Sequence, residues 1–158
     1  MNPALLWAVQ WLHIVAGIVW AGGVAFFALV VWPALLTRPP AEARALYTGM
    51  ERFAGPVLGT AGGLSILLGI LRGTWLGPVQ SWDAWWGTRY GQLMTVAFLV
   101  VFALLVYGGY MRRRMDTRVF NEGQWHPGAA RFIWRSSVIT LAGLGVVLAC
   151  MVMMRVGI

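Results

Sequence analysis

The chain has 158 residues, of which 59% are hydrophobic and only 11% charged, with a formal net charge of +7. A mean hydropathy of +0.72 excludes an ordinary soluble domain and points to an all-α integral membrane protein. All 12 basic residues are arginine, and their placement reads as a topology signal, with no nucleic-acid partner implied.

The first apolar run, Leu5 to Leu36, is long enough to cross a bilayer as a helix, which takes roughly 20 residues. It lacks a basic leader and is too long for a signal-peptide core, so it is expected to be the first span. His13 lies inside it, the only ionisable side chain well within any apolar run of the chain. An ionisable group in hydrocarbon is costly and tends to have a partner, a cavity or a ligand, and imidazole is the commonest metal-binding side chain. Two readings fit: a functional group, or a neutral imidazole bonded to a helix neighbour such as Gln10 and gluing the bundle.

A connection over 37–52 leads to the second run, Phe53 to Leu71, where Gly55, Gly59 and Gly63 recur every four residues. That spacing is expected to let another helix approach the backbone, with Pro56 harmless in the first turn. The next connection, 72–89, crowds Trp75, Trp82, Trp85 and Trp86 around a lone Asp83. Such aromatics suit a membrane interface belt, and they also suit a lid over a flat ligand. The third run, Tyr90 to Met111, carries Met94. The loop 112–136 holds His126 in Trp125-His126-Pro127-Gly128, expected to be a turn residue, with Trp125, Phe132 and Trp134 at the interface. The fourth run, Ser137 to Met154, contains the single cysteine, Cys150, followed by Met151, with Gly145 and Ala149 as a further small pair. The expected architecture is a single transmembrane domain over 1–158, a four-helix bundle embedded in the lipid bilayer.

Nine arginines, at 38, 44, 52, 112, 113, 114, 118, 131 and 135, fall on the side of the two connections 37–52 and 112–136, and Arg72, Arg89 and Arg155 fall on the other. The positive-inside rule therefore places both termini outside, in a bacterial-type inner membrane. His13 then lies roughly 12 Å below the outer end of its helix. Met94, Cys150 and Met151 come to a comparable depth from spans three and four. Soft thioether and thiol ligands favour Cu(I), with imidazole as an acceptable companion, although methionine is also a common core filler. Glu42, Glu51, Asp83, Asp116 and Glu122 are all expected in connections, which argues against a carboxylate-based proton relay. His126 lies on the opposite side from His13, so the two cannot share a haem iron. His13 would need Met94, another weak ligand or a second His13 across a homodimer.

The stretch Leu12-His13-Ile14-Val15-Ala16-Gly17-Ile18-Val19-Trp20-Ala21-Gly22-Gly23 resembles the first-span signature of the copper-resistance D (CopD) membrane domain. Arg52-Phe53 and Gly87-Thr88-Arg89-Tyr90-Gly91-Gln92-Leu93 are similar to two further stretches of that family, so the resemblance covers about residues 5–110. It implies copper transfer across the inner membrane. The chain is also more distantly similar to HemJ-type protoporphyrinogen oxidases, which bind haem b, through His13 and Pro56. Relatives in both families often carry a third-span lysine, and this chain contains no lysine. Copper held by His13, Met94, Cys150 and Met151 is the leading expectation. The rivals are a haem-b redox protein with His13 as axial ligand and Trp20 and Trp82 as walls, and an accessory subunit of a larger membrane complex.

Overall fold

The computed structural model describes residues 3–121 and 124–157, apart from the side chain of Asp116. Helix α1 (Pro3–Phe26) continues through a π-helical turn (Phe27–Val31) into α2 (Trp32–Leu36), and α3 (Pro40–Gly73) returns antiparallel. A short helix α4 (Trp82–Gly87) precedes α5 (Arg89–Arg113), α6 (Met115–Arg118) and a small hairpin, β1 (Phe120–Asn121) with β2 (Gln124–Trp125). The chain closes with α7 (Ala129–Val156). Four helices, Pro3–Leu36, Pro40–Gly73, Arg89–Arg113 and Ala129–Val156, are long and apolar enough to cross a membrane.

Helix α3 begins far earlier than its apolar run. Pro40 sits in the first turn, where its missing N–H is not needed, and Glu42 faces the positive end of the helix dipole. Good helix formers follow, with Ala43 and the partly buried Tyr47 and Met50 turned to a core, so 40–52 winds as helix instead of forming a loop. Glu42 and Glu51 therefore lie on α3, not in a connection, and Asp83 and the backbone of Asp116 lie on the short helices α4 and α6. Glu122 is outside the described residues. The same early start puts Pro56 inside α3, where it removes the donor that would meet the carbonyl of Arg52.

The π-turn has a comparable cause. Pro33 brings no N–H to the ladder, and the Trp32 N–H bonds to the Phe27 carbonyl, five residues back. The Ala28 carbonyl, left without those donors, accepts from Ser137 Oγ of α7 at 3.3 Å. His126 is a turn residue: its carbonyl accepts from Ala129 N at 2.8 Å and its Nδ1 from Gly128 N at 3.2 Å.

Packing divides along the bundle. A central cluster joins Trp20, Ala61, Val101, Leu144 and Val147. A second cluster at the arginine-rich end gathers Leu35, Ala43, Met111, Val119, Phe120 and Ile133 under the hairpin, whose Trp125 stacks on Phe120 at 5.3 Å. Helix α1 packs along α3 and α5 along α7, whereas α3 and α5 touch much less. The glycines that permit close approach differ from the periodic set. A Cβ at Gly62 would lie 2.7 Å from Leu105 and 2.9 Å from Trp20, and one at Gly73 would collide with Met94 Sδ. At Gly59, Gly63 and Gly145 it would meet nothing within 4 Å. The two glycine faces of α3 look equivalent as spacing, and the bulky side chains brought by α1 and α5 select the 62, 69, 73 edge. On the fourth helix Gly143, against Leu104 at 2.9 Å, takes the role expected of Gly145.

This assignment makes opposite predictions for neighbouring faces. Gly73→Ala is expected to destabilise the protein by about 1–3 kcal/mol through overpacking. Gly63→Ala is expected to be neutral or to stabilise by up to about 1 kcal/mol through helix propensity. Thermal unfolding in detergent followed by circular dichroism compares them, and equal effects would refute the packing.

Candidate functional site

Val9, His13, Ala16 and Trp20 fall on one face of α1 and meet α3. Gly69 is what lets His13 reach its partner. With no side chain at 69, the imidazole lies against the helix backbone, where a Cβ would sit 2.9 Å from Cε1, and its Nδ1 approaches the Ser65 carbonyl one turn back at 3.0 Å. A carbonyl only accepts, so Nδ1 donates and Nε2 of the neutral ring keeps its lone pair. Histidines that bind metals commonly have one ring nitrogen fixed by a backbone oxygen in this way. Gln10 is not the partner of His13. Its Oε1, one turn before His13 on α1, accepts instead from Arg72 Nε at 2.9 Å.

Met94 is buried, at 9% exposure, with its sulfur on Gly73. Gly69 and Gly73 are one turn apart, about 6 Å along the axis, so His13 and Met94 seat on the same edge of α3 from two different helices. Cys150 is a free thiol at 5% exposure in the bundle interior. The antiparallel packing of α5 with α7, where Gly143 meets Leu104, puts Cys150 toward the same end of the bundle as Met94. Met151, the next residue on the helix, is 38% exposed and turns outward.

Trp20 is buried two turns deeper than His13, packed on Gly62, while Trp82 is 76% exposed. The two do not frame one slot beside the imidazole. The tryptophan that folds inward is Trp85: its Nε1 donates to Thr95 Oγ1 at 2.7 Å, and Thr95 donates to the Gly91 carbonyl at 2.9 Å. After α3 the chain tucks Leu76 and Val79 into the same end of the bundle, with Val79 N bonded to the Gly73 carbonyl at 3.1 Å.

In the sequence Gly69 and Gly73 do not stand out, while Arg72 stands out only as a topology signal and Trp85 only as one of four clustered tryptophans. Arg72 fell just past the predicted end of span two, yet Gln10 at matching depth offered a signal, since an arginine near a helix end needs an acceptor. Among the described residues no three His, Cys, Asp or Glu side chains gather as a metal site. Soft and nitrogen donors at this end of the bundle include the imidazole and thioether on one edge of α3 and the buried thiol on α7.

With only two histidines in the chain, selective nitrogen-15 labelling gives a direct check on this geometry. NMR in detergent is expected to find the neutral His13 ring protonated at Nδ1. Protonation at Nε2 alone would show that Ser65 is not its acceptor.

No protein-family model matches the chain, and neither a curated protein nor a solved structure matches it, so any functional reading rests on this geometry and on the sequence motifs.

Proposed function

We propose that the chain is a multi-pass protein of a bacterial-type inner membrane that binds Cu(I) and passes it on, with both termini outside. His13 Nε2 is the principal ligand, Met94 Sδ the soft co-ligand, and the Cys150 thiol the next station. The observation that carries the reading is the common seat of His13 and Met94 on the Gly69–Gly73 edge, with Nδ1 already committed to the Ser65 carbonyl. The first-span resemblance to CopD domains supports it, and so does the outward display of apolar side chains such as Trp11, Leu67 and Leu148, which suits hydrocarbon and not water. The excess of arginine at the opposite end supports the orientation.

The mechanism is ligand exchange. Cu(I) is substrate and cargo, reaching the site beneath the loop that carries Leu76 and Val79. It exchanges between thioether and imidazole without a change of oxidation state. Arg72 opposes a second positive charge beside the imidazole, so it keeps the bound ion releasable, while Gln10 holds the guanidinium in place. The haem reading lacks a comparable support, because the imidazole lies on the Gly69 backbone and Trp20 and Trp82 point to different places.

Competition of the purified protein against a chromophoric Cu(I) chelator tests the proposal. One Cu(I) per chain is expected, lost in His13→Ala. In Met94→Leu it is weakened by about tenfold or more, as for loss of one strong interaction. Arg72→Gln is expected to bind Cu(I) more tightly than the parent, an effect that a merely structural arginine would not produce. Unchanged stoichiometry in His13→Ala, or a Soret band lost in that variant, would overturn the copper assignment.

A further inference from the structure

A second site lies at the other end of the bundle. Between the helices there is a cavity of about 310 Å³, at the lower end of the range for small-molecule sites. Trp20, Trp32, Tyr47 and Tyr107 contribute to its lining, and the Glu51–Arg112 ion pair supplies its charged groups. His13 and Met94 are not on its wall.

Sequence and packing both make this hollow. Gly59 of α3 and Gly108 and Gly109 of α5 line it, and a Cβ at any of the three would meet nothing within 4 Å. Gly59 and Gly108 are themselves exposed, and α3 and α5 are the loosely packed neighbours, so the opening is lateral, between two helices long enough to face lipid. The π-turn borders the same space through Phe27 and Ala28, and π-turns occur frequently at functional sites.

The charged margin selects the ligand. Arg112 Nη1 donates to Glu51 Oε1 at 2.9 Å, over Gly55, whose missing side chain leaves room for the pair. The pair is solvent-accessible, and an exposed ion pair adds little stability, so an anion presenting two oxygens to the guanidinium can replace Glu51. Nine of the 12 arginines lie at this end of the sequence pattern, which raises the local concentration of anions. The volume holds about ten water-sized groups at ~30 Å³ each, enough for a stretch of one acyl chain and too little for a two-chain lipid.

We infer that this cavity binds one acyl chain whose anionic head, a fatty-acid carboxylate or a phospholipid phosphate, is held by Arg112 in exchange for Glu51. The chain slides in between α3 and α5 past Gly59 and Gly108, and its body lies against the aromatic walls. The inference rests on the membrane reading and is independent of copper.

Native mass spectrometry of the full chain released from detergent tests it, with oleate, dioleoyl phosphatidylglycerol and dioleoyl phosphatidylcholine as probes. One oleate or one phosphatidylglycerol per chain is expected, and whichever is retained identifies the source of the head. Arg112→Gln should lower retention about tenfold, the effect of one charge-assisted hydrogen bond. Arg112→Lys should recover part of it, and Glu51→Gln should raise retention by freeing the guanidinium. Gly108→Leu and, separately, Gly59→Leu, at positions where an added Cβ meets nothing within 4 Å, should block the hollow and abolish binding while circular dichroism stays unchanged. Retention of phosphatidylcholine equal to that of phosphatidylglycerol, full binding in both filled variants, or no retention of either anionic probe would overturn the proposal.

Discussion

The bare backbone edge of α3 at Gly62, Gly69 and Gly73 is the constraint on which the rest of the bundle depends. An α-helix ordinarily surrounds itself with side chains that hold neighbours 8–10 Å away. Where α3 has none, Trp20, His13, Leu105 and Met94 sink onto its backbone, and α1 and α5 follow them. In hydrocarbon there is no hydrophobic drive between helices, so such close contact supplies much of the packing energy. The same edge exposes the Ser65 carbonyl to an imidazole from another helix. One feature thus fixes both the approach of the helices and the orientation of the only ionisable side chain deep within an apolar run.

The four apolar helices were legible because a run of some twenty apolar residues has few alternative fates. Their ends were less legible at the arginine-rich side. Residues 40–52 read as a connection because hydropathy drops there, yet Ala43, Tyr47 and Met50 follow a helical period and find a core built partly by the β1–β2 hairpin. Hydropathy reports the solvent a segment prefers, whereas helix boundaries follow periodicity and caps. Pro56, read as a first-turn residue, became an interior proline for this reason alone.

For the site, the chemistry of single residues was readable and their pairing was not. His13 announces itself by its cost in hydrocarbon, and Met94 and Cys150 by depth. The acceptor for the imidazole is a main-chain oxygen, which no residue type can advertise. Which glycine face is used depends on side chains donated from other helices, and which tryptophan folds inward depends on Thr95 lying one turn below the Trp85 indole. Trp82 and Trp85 are indistinguishable as letters. They separate only when Ser81 caps α4 by accepting from Ala84 N and so sets the rotation of that helix.

The two ends of the bundle differ because their glycines meet different partners. At the end that carries the chain termini, large side chains from α1 and α5 fill the spaces at Gly69 and Gly73, and the interior is tight. At the arginine-rich end the spaces at Gly59, Gly108 and Gly109 stay unfilled, because Pro33 has diverted α1 into a wider turn and tied it to Ser137 of α7. Glu51 of α3 and Arg112 of α5 bridge the two helices beside the cluster that Ala43 and Met111 share. The hollow is bordered on one side by the central cluster around Trp20 and on the other by the cluster under the hairpin, so the unfilled space is a gap between two packed cores and not a loosening of the whole arginine-rich end.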